Sequence, residues 1–491
     1  MTIKTPFEAY ALPSLDHTVP PCYIRFALVF SVPNALSGVE YLQNGAALLE
    51  SQFPFLAGYV TPVRDPNARK GALQIEPIAS SETGYEGILS VKHHSASCRS
   101  QSTVAEEQYL PLPFAPHPHK PAPIFRLQAN AMSDGVILGA VFNHQAIDGT
   151  GAGALLRDFA RCCVLAAEGT PPSAGIFEMN PETQLTGRAL LSATGLGAPL
   201  PNPSIDHSAE FPVVAPMPAD WETITAALEQ AAQSLKLQRF LFPAKKVEAL
   251  TNACNDWLRE LNKTSEERSW VSKNDVVVAL LWMAFTRAKR DPASVPSGEN
   301  GTPSTSGICM AVNIRGRTTP PIPAAYVGNA FVMLRQSVSL DVILGDHAPS
   351  ARERCIEKHS SIVQALSHMA CAIRQKLHSI DDTFVRSAVS HVEGVSDLSA
   401  IAIGQSDFNI SCLQDFGFCT TDYGHGLGNP IDIRMPKGMI DGQFYILSRK
   451  TDQGDGDAFW EAEATLSPES MERLCADEIL SLYACRSPKQ L

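Results

Sequence analysis

One histidine in this sequence stands where proton-transfer chemistry could be done: His144, in the run His144-Gln145-Ala146-Ile147-Asp148-Gly149. It follows directly on the apolar stretch Val136 to Phe142, so its ring can face a crevice instead of bulk water. An imidazole with the ordinary pKa of about 6.5 is mostly neutral at pH 7 and can take a proton from an attacking hydroxyl. An alcohol attacking a thioester needs such a base, together with a donor for the oxyanion that forms. Asp148 has two readings: a carboxylate that orients the imidazole, or one half of an ion pair that shapes the loop. Gly149 lets the chain turn tightly into the next element. The spacing H-x-x-x-D recurs by chance in a chain with 13 histidines, so alone it does not separate catalysis from structure. His17, His93, His94, His117 and His119 fall in loops or at edges and are expected to be solvated.

Other chemistries find less support. There is no G-x-S-x-G elbow for a nucleophilic serine. Asp381-Asp382 follows a helical stretch and reads as a solvated turn, and neither Cys98 nor Cys419 has an activating base nearby. Gly149-Thr150-Gly151-Ala152-Gly153 lacks the lysine and the spacing of a phosphate-cradling loop. The 12 cysteines are scattered, several in apolar runs (Cys162, Cys163, Cys254, Cys309), with no C-x-x-C pair and no zinc spacing. They read as buried free thiols in a reducing compartment, and no metal is expected.

The elements that must position His144 can be traced outward from it. Ile124 to Ala131 and Val136 to Phe142 form a hairpin closed by Ser133-Asp134-Gly135, and a helix is predicted over Ala154 to Ala167. Before them, Tyr23 to Val32 alternates as a half-buried strand, and Gly38 to Gln52 repeats at helical spacing until Pro54 stops it. Residues 169 to 220 are rich in proline, glycine and alanine without a sustained period, apart from a short helix predicted from Trp221 to Leu235. In the second half, Leu237 to Phe242 is a predicted strand and Pro243 opens a helix. Ser272-x-x-Asp275 is a capping box for the apolar helix Val276 to Arg290. Residues 291 to 306 read as a mobile loop, Ile308 to Ile314 as a strand, and Ala348 to Leu377 as a long helical stretch. Phe408 to Cys412, Gln443 to Ser448 and Phe459 to Leu466 read as strands, with a last helix after Ser467-Pro468.

With 491 residues the chain exceeds one ordinary core, and two domains are expected. An apolar share of 44% with 18% charged residues is that of a globular protein. The net charge of -12 argues against a nucleic-acid partner, which would need a basic surface. Met1-Thr2-Ile3-Lys4-Thr5-Pro6 has no basic start followed by an apolar core, and the longest apolar run, Val276 to Phe285, is half of a membrane span. A cytoplasmic location, no membrane contact and a monomer are the expectations. The class that follows is α/β, with mixed sheets in two halves joined by a long crossover.

The chain resembles the BAHD acyltransferases, in particular fungal members similar to trichothecene O-acetyltransferases. His144 to Gly149 is similar to the family's HxxxDG, and Asp415-Phe416-Gly417-Phe418-Cys419 stands where its DFGWG stands. Leu12-Pro13-Ser14-Leu15-Asp16, Phe53-Pro54-Phe55-Leu56-Ala57-Gly58 and Val312-Asn313-Ile314-Arg315-Gly316-Arg317, followed by Tyr326-Val327-Gly328-Asn329, match further family segments in order. The resemblance implies two similar α/β domains of the chloramphenicol acetyltransferase-like kind, with a tunnel between them that acyl-CoA and the acceptor enter from opposite faces. The implied domains are residues 1–190 and 236–491, with 191–235 as crossover and part of about 348–400 packing back on the first domain. His144 is the implied base. Asp148 is implied to be structural, paired with Arg315, and Asp415 and Gly417 to hold the fold and the CoA channel.

One departure bears on the chemistry. Phe418-Cys419 replaces the family's Trp-Gly, and a phenyl ring has no N–H to offer an oxyanion. Ser411, Thr420 and Thr421, a backbone N–H or water are the substitutes, with Phe418 lining an acyl channel. Lys245, Lys246 and Lys273 are the basic side chains proposed to meet CoA. The implied reaction is O-acetylation of a hydroxyl on a small secondary metabolite. N-acylation or a condensation-type transfer, and a non-acylating tunnel protein or cyclase, are the alternatives.

Overall fold

A computed structural model describes residues 7–77, 87–99, 104–117, 120–200, 205–214, 221–261, 270–290, 304–345, 360–424, 426–447 and 458–487. In the first half, β1 (Tyr23–Phe30), β2 (Leu89–His93), β3 (Phe125–Ala131) and β4 (Val136–Asn143) lie beneath α1 (Ala35–Gln52) and α2 (Gly149–Glu168). Val39, Leu42, Ala46 and Leu49 of α1 enter the core they share, and Asn34 caps the helix by accepting from the Leu36 and Ser37 N–H groups. β1 differs from the half-buried strand its alternation predicts. Phe26, Leu28 and Phe30 face the helices, while Ala27 and Val29 are covered by Cys98, Ala105, Tyr109 and Leu110. A small sheet of Tyr10–Ala11, Leu73–Glu76, Tyr59–Pro62 and Ala122–Pro123 adjoins this layer.

The second half centres on α4 (Lys273–Lys289), which is apolar all round and enclosed by its neighbours. Its capping box is formed in both directions between Ser272 and Asp275. Around it stand β5 (Lys236–Pro243), α3 (Ala244–Leu261), β6 (Thr305–Asn313), β7 (Phe331–Ser339), α5 (Ser361–Ser379), α6 (Asp382–Glu393) and β8 (Phe408–Cys412). The chain then adds β9 (Asp432–Arg434), β10 (Gln443–Ile446), β11 (Phe459–Leu466), α7 (Pro468–Cys475) and β12 (Cys485–Arg486). Seven of these strands form one mixed sheet in the order β7-β6-β8-β10-β11-β5-β12.

Sequence order and spatial order part company after residue 412. Leu413, Phe418, Cys419, Tyr423 and Leu427 pack into the first core, and β9 pairs antiparallel with β1 as an edge of the first sheet. A segment placed by sequence in the second half (236–491) thus completes the first. Of the stretch 348–400, α5 packs on α3 and α4 in the second core. The end of α6 and the turn beyond it instead reach the first half, where Arg69 pairs with Glu393 at 2.9 Å and Lys70 with Asp397 at 2.6 Å.

Several local expectations give way to tertiary context. α2 begins at Gly149, well before Ala154, because the Asp148 side chain caps it by accepting from Gly151 N–H. The helix Pro181–Leu190 lies in the stretch read as irregular, held by the Asn180 cap and by Gln184 donating to the Ala325 carbonyl. His17 is buried, not solvated: Nδ1 meets the Pro13 carbonyl, Nε2 accepts from Leu73 N–H, and burial lowers its pKa to about 4. Asp381 caps α6, and Asp382 pairs with Arg386 and accepts from Thr319 N–H, so this pair is anchored and not a free turn. Cys98 and Cys419 are both fully buried, and burial pushes Cys98 up to about 11. His119, residues 291–303 and the start of the 348–377 stretch lie outside the described residues.

Arg239 on β5 ties the two sheets together. Its guanidinium donates to Glu463 and Glu461 of β11, to Asp432 of β9 and to the Ile433 carbonyl, and it is only 3% exposed. Removing one member of a buried ionic cluster leaves uncompensated charge and costs about 3–5 kcal/mol. Arg239→Ala is therefore expected to lower unfolding stability by about that amount in urea titration. A loss below about 1 kcal/mol would show that the cluster is not the tie described.

Candidate active site

His144 stands at the mouth of β4 with its backbone fixed from both sides. Its N–H donates to the Cys22 carbonyl at 2.9 Å, and its carbonyl accepts from Asn329 Nδ2 at 2.7 Å. The Ala146 and Ile147 N–H groups turn back onto the Asn143 carbonyl, at 3.0 and 2.9 Å, and this tight turn delivers Asp148 to the start of α2.

Asp148 is buried and faces Arg315, which comes from the second half just beyond β6. The two meet as a fork, NH1 to Oδ2 and NH2 to Oδ1, both at 2.9 Å. The remaining acceptor capacity goes to Gly151 N–H (2.7 Å) and Ala330 N–H (3.0 Å). Arg315 also donates to the Tyr326 and Gly328 carbonyls. This carboxylate is engaged on both oxygens by groups other than the imidazole. Gly149 beside it is pressed by the Phe416 ring, since a Cβ there would come within 2.4 Å of that ring.

The imidazole of His144 is partly exposed, with Nδ1 buried and without a partner. Burial is the largest influence and lowers its pKa below the usual histidine value. Its own carbonyl, Asp148 and the Asn329 side chain oppose the shift. At neutral pH the ring is therefore uncharged, the form that accepts a proton.

Opposite the ring lies one face of the seven-stranded sheet. Met310 and Val312 of β6 point into the second core, whereas the alternate residues Ala311 and Asn313 are exposed. An exposed alanine in mid-strand means that this sheet face is left open there. Phe331 and Met333 of β7, paired with Asn313 and Ala311, carry the same face, and the Phe331 ring lies 6.3 Å from His144. Ser411 is one residue beyond the Met310–Ile410 pairing and sits opposite Tyr445 of β10.

The other proposed oxyanion and channel residues lie elsewhere. The Phe418 ring packs in the first core on Phe26 (4.5 Å between centroids) and Phe416 (5.7 Å). Thr420 and Thr421 both turn their hydroxyls onto the Gly417 carbonyl, at 3.4 and 2.8 Å. Gly417 itself takes φ +79°, the left-handed region that favours glycine. Spacing places these residues near the motif but cannot show which way a tight turn directs them.

A cleft of about 490 Å³ is lined by Ser272, Lys273, Asp275, Arg374, Asp415 and Trp460, among others. Of the three lysines proposed from sequence, Lys273 is on it, pairing with Glu248 at 3.4 Å. Lys246 instead donates to the Leu482 carbonyl, and Lys245 precedes it at the start of α3; neither lines this cleft. Sequence reasoning missed Arg374, whose Nε donates to Asp275 (2.8 Å) and whose NH2 donates to Ser272 Oγ (2.7 Å). The capping box was legible, but a guanidinium arriving from α5 was not. Among the described residues, no group of three or more His, Cys, Asp or Glu is placed to hold a metal ion, and no helix is long and apolar enough to cross a membrane.

Comparison with known proteins fits this geometry. Residues 4–479 match the Transferase family. The O-acetyltransferase ptmV of Penicillium ochrochloron is 42% identical over 509 aligned residues, covering 99% of each chain. The O-acetyltransferase astG of Aspergillus oryzae is 32% identical, covering 90% of this chain and 95% of its own. In structure, TRI101 of F. sporotrichioides, solved in complex with coenzyme A and T-2, superposes with a TM-score of 0.71 at 20% identity, covering 98% of this chain and all of its own. Vinorine synthase does so at 0.56 and 17% identity, covering 98% of this chain and 96% of its own, so the fold is shared with both. The chain belongs to this transferase family, of the BAHD type, and is an acyltransferase.

Proposed function

We propose that the protein transfers an acyl group, acetyl in the first instance, from CoA to a hydroxyl of a small secondary metabolite. The observation that carries this reading is His144: a neutral imidazole at a strand end, facing an open sheet face, in a chain 42% identical to an O-acetyltransferase. Donor and acceptor are bound together. The acceptor hydroxyl gives its proton to His144 as its oxygen attacks the thioester carbonyl. The tetrahedral intermediate then expels the CoA thiolate, which is protonated by the imidazolium, so the base is regenerated. Asp148 serves this step from a distance, by holding the loop through Arg315. Ser411 carries a side-chain hydroxyl on the open sheet face, as does its neighbour Tyr445, and Ser411 is assigned as the oxyanion donor in place of the family's tryptophan. Lys273 and Arg374 supply cationic charge along the cleft for the phosphates of CoA. An apolar patch, with Phe331 facing His144 and Met333 on the same sheet face, suits an acceptor with a hydrophobic skeleton.

His144→Ala is expected to lower kcat in a thiol-release assay by about 10²–10⁴-fold while the thermal melt is unchanged. Full activity in that folded variant would contradict the assignment. Because the base acts in its neutral form and burial lowers its pKa, kcat/KM should hold as pH falls through about 6.5 and decline only below that value. An acid limb centred above pH 7 would contradict it. Ser411→Ala should cost about 10²-fold in kcat with little change in KM for either substrate. An unchanged kcat would return the oxyanion role to a backbone N–H or water.

A further inference from the structure

Asp16 lies far from His144 in sequence, is fully buried in the 3-10 turn Ser14–His17, and is joined to it in space through Asn329. Its Oδ1 accepts two hydrogen bonds from Asn329, from the backbone N–H at 2.8 Å and from Nδ2 at 2.7 Å. The same Nδ2 donates to the His144 carbonyl at 2.7 Å. Both hydrogens of the amide are thereby committed, one to Asp16 and one to His144. Its oxygen is buried and unpartnered, and so is Nδ1 of His144. A general base working through Nε2 must carry its hydrogen on Nδ1, so an acceptor for that hydrogen selects the productive tautomer. Burial disfavours the charged imidazole most; its own carbonyl, then Asp148, then the Asn329 side chain oppose this, the amide acting through its oxygen.

We propose that Asp16 is a positioning residue for proton transfer, acting through Asn329: it orients the amide so that Nδ2 fixes the His144 carbonyl and Oδ1, unbonded in this structure, is the acceptor offered to Nδ1–H as the ring takes up a proton. The inference rests on His144 being the base. Its chemistry does not require Asp16 to be charged, since a protonated carboxyl keeps an acceptor oxygen. The charged and titratable groups facing Asp16 are Asp148, Arg315, Tyr10 and Tyr326.

The test combines variants with a tautomer measurement. Asp16→Ala and Asn329→Ala should each lower kcat about tenfold or more, with both KM values within about twofold. The double variant should be no worse than the poorer single, because the two residues act as one device. Asp16→Asn keeps the acceptor oxygen and should recover kcat to within about threefold of the parent. In nitrogen-15 spectra of the unaltered protein, His144 should be in the Nδ1–H form. Folded Asp16→Ala with parental kcat, losses confined to KM, or losses that multiply in the double variant would each overturn the proposal. If Asp16→Ala does not fold, Asp16→Asn and the spectrum decide: an Asn variant as poor as the Asn329→Ala enzyme, or an Nε2–H ring, overturns it. Retained activity in His144→Ala would overturn the base assignment instead, whereas its loss with a fully active Asp16→Ala sinks only this inference.

Discussion

The buried pairing of Asp148 with Arg315 is the contact on which the arrangement of the site depends. It joins the loop that follows the histidine to the segment that follows β6, and so connects the two halves beside the proposed base. A fork between a carboxylate and a guanidinium at low solvent exposure is favourable only when the remaining donors and acceptors are also met. Here Gly151 and Ala330 N–H groups complete the carboxylate, and the Tyr326 and Gly328 carbonyls complete the guanidinium. The cost of burying two charges is thereby offset by backbone groups that would otherwise be orphaned at the start of α2 and in the 326–330 segment.

With that seam satisfied, Asp148 turns neither oxygen to the histidine. A ring hydrogen-bonded to Asp148 would be held more strongly in its charged form, raising its pKa and weakening it as an acceptor at neutral pH. With Asp148 committed to Arg315, burial dominates and His144 stays neutral. The open sheet face across from it, with alanine where a core residue would otherwise be, is where the proposed transfer has room for its acceptor. Arg239 performs an analogous service farther along, fastening β11 to β9 so that the C-terminal segment can complete the first sheet.

Much of this was legible in the sequence because it is local. The strand leading to His144, the turn at Ser133-Asp134-Gly135 and the capping box at Ser272 depend on near neighbours, and the pattern shows them. What could not be read depends on partners distant in the chain. The 3-10 turn at Asp16 meets Asn329 across 313 positions, and Arg374 meets Asp275 across 99. Gly149 and its neighbours read as poor helix formers, yet the Asp148 cap and close packing begin the helix there. His17 reads as a loop histidine because periodicity says nothing about partners such as the Pro13 carbonyl and the Leu73 N–H that bury it. Phe418 was placed at the chemistry by its rank in a motif, whereas its ring faces the aromatic cluster of the first core.

The central claim is direct transfer within a ternary complex, with a histidine that takes a proton and never carries the acyl group. Initial rates measured while both substrates vary, with the enzyme also examined by mass spectrometry after exposure to acetyl-CoA alone, test it most directly. The account predicts intersecting double-reciprocal lines and an enzyme of unchanged mass. Parallel lines together with an acetylated peptide would contradict it.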